Sequence, residues 1–343
     1  MLELQSASKN GLPAMRLPPA SPERSPSDWH PRLHAWAIIT MVVAVIAVVL
    51  GSLVTSLDVG MVDPDWPTSP WHLLTTQWSP EDRAYLVEHS HRLVDWLIGI
   101  CVIGLAIGTW LVDSRVFVRW LGPAALVAVL VQGLLGGLRV LLNANFGTEL
   151  RIMHGCAAHL FVALLGVVVL VTSRDWTLQT GGAAVSKRLR MAAALLVGSL
   201  YLQLVFGAVL RHTDVSQYSA RYSPYASLAQ RGHLLFAMVS VSLATWLNLQ
   251  VRIEKQGKRK LLYALDAFLG LQLLLGVETW LQRFPSNSLG LPAAAEFNSD
   301  LVLRTLHLLI GSLLFASAVM IAVCSYRSVL VDSAVDGTAE GMA

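Results

Sequence analysis

Charge is scarce in this chain. Only 14% of its 343 residues are Asp, Glu, Lys or Arg, while 55% are apolar. A soluble surface needs roughly 25% charged residues, so the two soluble domains that the length would allow are excluded. A mean hydropathy of +0.57 places the chain in a bilayer instead. A strong excess of either sign is also missing: 25 basic and 22 acidic residues leave a net charge of +3, which offers no basic face to DNA or RNA. The three cysteines, Cys101, Cys156 and Cys324, lie in apolar runs without paired spacing. That pattern argues against a disulfide framework or a zinc site.

What is present is a series of long apolar runs. Stretches of about 20 apolar residues, the length that crosses a hydrocarbon core, fall near 35–57, 91–112, 120–142, 152–172, 191–210, 233–251, 261–282 and 303–325. An all-α integral membrane protein of eight transmembrane helices is expected, with both termini on one side. The five lysines (Lys9, Lys187, Lys255, Lys258, Lys260) and eleven of the twenty arginines fall in the tails and the 113–119, 173–190 and 252–260 loops. The positive-inside rule makes those segments cytoplasmic in a plasma-membrane protein. Residues 1–34, rich in Pro and Ser, read as a disordered cytoplasmic tail, and 326–343 as a second one. The first apolar run lacks a small-residue cleavage site and is read as an uncleaved helix.

Self-comparison suggests a duplication. Gly51 to Val59 aligns with Gly207 to Val215, Gln132-x-x-x-Gly136 with Gln272-x-x-x-Gly276, and Arg151-x-x-His154 with Arg304-x-x-His307, in the same order along the chain. Two tandem four-helix halves, 35–172 and 191–325, are expected, related by a pseudo-two-fold axis along the membrane normal.

Histidine placement carries the functional reading. His30, His34 and His72 fall in tail or loop and read as solvated, and His212 ends the fifth span. His91, His154, His233 and His307 each sit about a turn inside the outer end of an even-numbered span, hence at one depth in the outer leaflet. Polar side chains at that depth are costly, and imidazoles on facing helices can bind one haem iron from both sides. The pairs are His91 with His154 and His233 with His307. Arg92, Arg151, Arg231 and Arg304 lie within three residues of these histidines and suit haem propionates. Two histidines per half without a third ligand suit zinc or copper poorly.

The halves differ in one carboxylate. Glu88 precedes His91 by one helical turn, whereas its place at the offset that relates Gln132 to Gln272 is Leu228, with no acid nearby. Asp95, four residues after His91, shares its face and could orient the imidazole as a hydrogen-bond acceptor. His89 points elsewhere, and His159, five beyond His154, reads as a packing histidine.

Glu88-His89-Ser90-His91-Arg92, Pro64-Asp65-Trp66-Pro67, Gln132 to Gly137 and the histidines at 154, 233 and 307 together make the chain resemble the haem A synthase (COX15/CtaA) family of cytochrome oxidase assembly proteins. The resemblance covers about 35–325. It implies an oxidoreductase that converts the C8 methyl of haem O to the formyl group of haem A by successive hydroxylations. On this resemblance Glu88 is the essential acid, His91 and His154 flank substrate haem O, and His233 and His307 ligate a resident haem b. It also implies haem O synthase and oxidase assembly factors as partners, in membrane lipid, and allows a homo-oligomer. The chain departs from relatives that carry a cysteine pair in an outer loop, and its Asp95 and Glu278 stand where neutral residues are expected. Two competing readings are a non-catalytic bis-His membrane cytochrome and a haem-free transporter of tandem repeats. The transporter reading expects helices broken near the midplane, whereas here the prolines cluster in loops, with Pro123 at a helix start.

Overall fold

A computed structural model describes residues 29–67, 75, 82–178, 185–212, 224–254, 259–283 and 297–340. Eight long helices run through them: α1 Pro31–Ser56, α2 Arg83–Val112, α3 Val116–Leu141, α4 Asn143–Thr172, α5 Lys187–His212, α6 Pro224–Ile253, α7 Arg259–Arg283 and α8 Phe297–Glu340. A short helical turn, Arg174–Leu178, follows α4. All eight long helices are apolar and long enough to span a bilayer, so the protein is a multi-pass membrane protein. His72 and most of the N-terminal tail lie outside the described residues.

The helices run past the apolar stretches that announce them. Hydropathy marks only the part of a helix that lies in hydrocarbon, whereas the backbone bonds continue wherever nothing breaks them. Helix α2 begins at Arg83, so Glu88 lies inside a helix and not at its start. The 143–151 segment, expected as an outer loop, is helical and joins α4 across a kink at Phe146. Helix α8 continues to Glu340 through the expected C-terminal tail, a stretch that contains no proline. Pro123 falls inside α3 because that helix starts at Val116.

At the other end, α1 starts at Pro31, a residue whose missing N–H costs nothing in a first turn. His34 is therefore helical and meets Thr172 Oγ1 at 3.1 Å, while Trp29 Nε1 donates to the Thr172 carbonyl. Both contacts tie the entry of α1 to the end of α4, and His34 is no solvated tail residue.

In the first half α1 packs on α2, α2 on α3, α3 on α4, and α4 back on α1. In the second, α5 packs on α6, α7 on α8, and α5 on α8, while α6 meets α7 only narrowly. The Asn248 amide of α6 donates to Asp266 of α7 there. The halves join through α8 against α4 and α1, and through α4 against α5. Helices α4 and α8 are the most buried spans and α3 and α7 the least. Leu130, Leu134, Leu274 and Val277 on the outer pair are exposed, which is favourable in lipid. Close approach of α2 and α3 depends on Gly122, where a side chain would meet the Ala106 Cα at 2.7 Å. Separate apolar clusters underlie the two ends of this arrangement. One joins Val102, Leu105, Ala125 and Leu165, and the other joins Leu196, Leu247, Leu265 and Phe315.

Candidate functional site

His91, His154, His233 and His307 each lie over a glycine of an odd-numbered helix. A Cβ on Gly51 would stand 3.0 Å from the His91 ring, on Gly136 3.6 Å from His154, on Gly207 3.1 Å from His233 and on Gly276 3.2 Å from His307. Glycine therefore makes room for the imidazole that the next helix presents. Three of these glycines follow a glutamine by four residues, which puts the amide one turn away on the same face. Gln203 Nε2 lies 3.3 Å from His233 Nε2, and Gln272 Nε2 3.2 Å from His307 Nε2. Gln132 Nε2 donates to the His154 carbonyl at 3.4 Å.

The second-half geometry fixes a tautomer. His233 Nδ1 lies 3.0 Å from the Gln203 main-chain carbonyl, which only accepts, so Nδ1 carries the proton. His233 Nε2 is then left with its lone pair, the form that a metal requires. The His233 and His307 rings stand 6.2 Å apart between centroids, with planes at 62°.

His91 has no glutamine, because Ala47 occupies the place four residues before Gly51. Asp95 faces that ring instead, its Oδ2 3.6 Å from His91 Nε2, beyond hydrogen-bond distance. Three of the four histidines, His91, His154 and His307, keep a buried Nδ1 without a hydrogen-bond partner among the described residues. His159 does too, and it lines the same cavity.

Glu88 is 3% exposed. One carboxylate oxygen accepts the Asp63 backbone N–H at 3.0 Å and the other accepts Arg92 Nη2 at 2.7 Å. Arg92 also donates to the Asp63 and Asp65 carbonyls at 2.7 and 2.6 Å. His89 completes the knot: it stacks on Tyr85 and meets Asp63 Oδ2 at 2.9 Å. These bonds lash the loop after α1 over the outer end of the first half. Trp66 of that loop lies against Gly137, where any side chain would strike the indole.

Of the four arginines expected to meet propionates, three line the cavity. Arg151 bonds Gly147 O and Thr148 Oγ1, and Arg304 pairs with Asp300 at 2.7 Å. Arg92 also lines it, but its guanidinium is engaged by Glu88 and the loop. Arg231 is on the exposed face of α6 and outside the cavity, because it falls two residues before His233 and so on another helical face. Arg139, Arg211 and His212 are cavity-lining residues that the sequence did not single out. Arg211 donates to Ser52 and Ser56 of α1 and so bridges the halves.

One cavity of about 810 Å³ is lined by Glu88, His91 and His154 toward one half and by His233 and His307 toward the other. Its other walls are apolar, including Val129, Leu130, Phe161 and Leu204. The donor set suits haem. Metal–imidazole bonds of about 2 Å, with roughly 1 Å more to each ring centre, put paired ring centroids about 6 Å apart, as the second-half pair stands. Gln203 had a visible signal, since Gln203-x-x-x-Gly207 repeats the spacing of the other two glutamines. Asp63 had none, because it meets Glu88 only through the fold of the loop.

Three relatives named "Heme A synthase" are similar to this chain. The protein of Lysinibacillus sphaericus is 28% identical over 63% of this chain and 75% of its own length. That of Geobacillus kaustophilus is 28% identical over 54% and 57%, and that of Alkalihalophilus pseudofirmus 27% identical over 54% and 62%. The chain thus spans less than two thirds of the latter two. Residues 34–289 match the family COX15-CtaA, described as cytochrome oxidase assembly protein. His307 lies beyond that match and rests on its own contacts with Gly276 and Gln272. The matched segment runs from α1 through α7 and carries Glu88 and three of the four histidines, and the chain belongs to the COX15-CtaA family of cytochrome oxidase assembly proteins.

Proposed function

We propose that this protein is a haem A synthase, an oxidoreductase acting on haem O in the assembly of cytochrome oxidase. The carrying observation is the asymmetry of the cavity: four imidazoles lie over glycines, and a buried carboxylate, Glu88, lies beside only one pair of them. His91 and His154 would flank haem O, and His233 and His307 would hold haem b. A bound haem b supplies one-electron redox chemistry. The two halves, 35–172 and 191–325, would then divide the work. The recurring glycine–histidine contacts support their descent from a duplicated unit.

The reaction replaces two C–H bonds of the C8 methyl in turn by C–O bonds, and the resulting geminal diol loses water to leave the formyl group. Each hydroxylation is a two-electron oxidation whose electrons must pass to an acceptor outside this chain, and Glu88 is the buried carboxylate near His91 able to take up a proton during it. Arg92 and the Asp63 N–H hold that carboxylate in place, so it need not reorganise when the proton arrives. Asp95 faces His91, while Gln203 holds His233 in its ligand tautomer. Arg151 and Arg304 are the propionate partners, and Arg92 supports Glu88 and the loop. The basic residues put both termini in the cytoplasm and the haem sites toward the outer leaflet. Haem O synthase, as the source of substrate, and oxidase assembly factors are the partners this reading requires.

Pyridine haemochrome analysis of the purified protein tests the reading. Haem A should appear when a haem O synthase is co-expressed and be absent without one. Haem b alone under both conditions would instead favour the membrane cytochrome.

A further inference from the structure

Arg139 is a cavity cation to which the proposed function gives no role. It lies on α3 three residues beyond Gly136, hence about one turn along the face that meets His154, and it lines the cavity. Its Nε is buried without a partner, and it makes no hydrogen bond to any described residue. The acids within its electrostatic reach are Glu88 and Asp58. Both oxygens of Glu88 already accept bonds, from Arg92 and from the Asp63 N–H. Arg151 is a second cation in the same field. Guanidinium groups gathered at one wall of a largely apolar cavity favour an anionic ligand there.

The loop aims Arg139. Gly60 lies directly over the guanidinium, so that a single methyl there would overlap it. In the second half the position matching Arg139, at the offset that relates Gln132 to Gln272, is Thr279. Its hydroxyl bonds Leu275 O within its own helix. The extra cation therefore belongs to the half that carries Glu88.

Resting on the haem A synthase reading, we infer that Arg139 and Arg151 together receive the two propionate carboxylates of haem O, and that Gly60 holds Arg139 in position for this. The planar guanidinium matches a carboxylate with two parallel N–H bonds. The first half thereby selects a dianionic porphyrin, while the loop that carries Gly60 covers it.

The test is a spectroscopic titration of haem O, and of haem O with both propionates methyl-esterified, into purified wild type, Arg139→Gln, Arg139→Lys and Gly60→Ala. Arg139→Gln should weaken haem O binding on the order of 10- to 100-fold, as loss of a charge-assisted hydrogen bond does. The ester should bind wild type and Arg139→Gln alike. Arg139→Lys should fall between, and Gly60→Ala, which keeps the charge and displaces it, should weaken haem O in the same selective way. Resident haem b content reports whether each variant is folded, and if Arg139→Gln does not accumulate, Gly60→Ala carries the comparison. Unchanged haem O affinity in Arg139→Gln, or equal losses for haem O and its ester, would overturn the inference. A wild type that binds haem O but makes no haem A sinks the proposed function, and the ester comparison still decides the anchor.

Discussion

Glu88→Ala should abolish haem A formation and leave haem O bound but unconverted. The carboxylate is buried, fixed by the Arg92 guanidinium and the Asp63 N–H, and set one turn from His91. Removing a general base costs about 10²- to 10⁴-fold in rate. It also removes the closer of the two carboxylates that Arg92 pairs with, leaving Asp63 at 3.4 Å, so the loop over the first half should loosen as well. Glu88→Gln separates the two effects. The amide oxygen can still accept the Asp63 N–H, but the side chain cannot take up a proton. A Gln variant as inactive as the Ala variant, with haem b retained and haem O still bound, identifies the carboxylate as the chemical group. Wild-type rates of haem A formation in either variant would remove Glu88 from the reaction.

His91→Ala should fail at an earlier step. With the imidazole gone, the space over Gly51 is empty and Asp95 faces no ring. Haem O should not be retained, and haem A should fall to background, while haem b content stays at the wild-type level. The contrast with Glu88→Ala is the informative part: one variant traps substrate and the other does not hold it. Extracted haems, separated chromatographically, measure both. Retention of haem O by His91→Ala at the wild-type level would show that His91 is no ligand.

The spans were legible in the sequence because hydrocarbon permits only one reading of 20 apolar residues. Their ends were not, because α2 and α4 begin outward of the apolar run, where backbone hydrogen bonds continue without any hydrophobic signal. The four histidines were legible for the same reason as the spans, since an imidazole inside an apolar helix stands out. Their glycines were visible as repeat markers, but the contact between Gly207 and His233 joins residues on different helices and needed the fold. Asp63 and Arg139 mark where sequence reading stops. Asp63 accepts from Arg92 and meets His89 only because the loop folds back onto α2. Arg139, in the string Gly-Gly-Leu-Arg-Val, looks like any interfacial arginine reaching for water. Arg92 shows the converse, since its place beside His91 suited a propionate and its bonds go to Glu88 and the loop.

The two histidine pairs are expected to do different work. Haem content per chain, measured in protein purified from a host without haem O synthase, tests it directly. The double variant His233→Ala/His307→Ala should contain no haem b, and His91→Ala/His154→Ala should contain as much as wild type. Equal losses in the two variants, or haem b lost only when His91 and His154 are removed, would contradict the assignment.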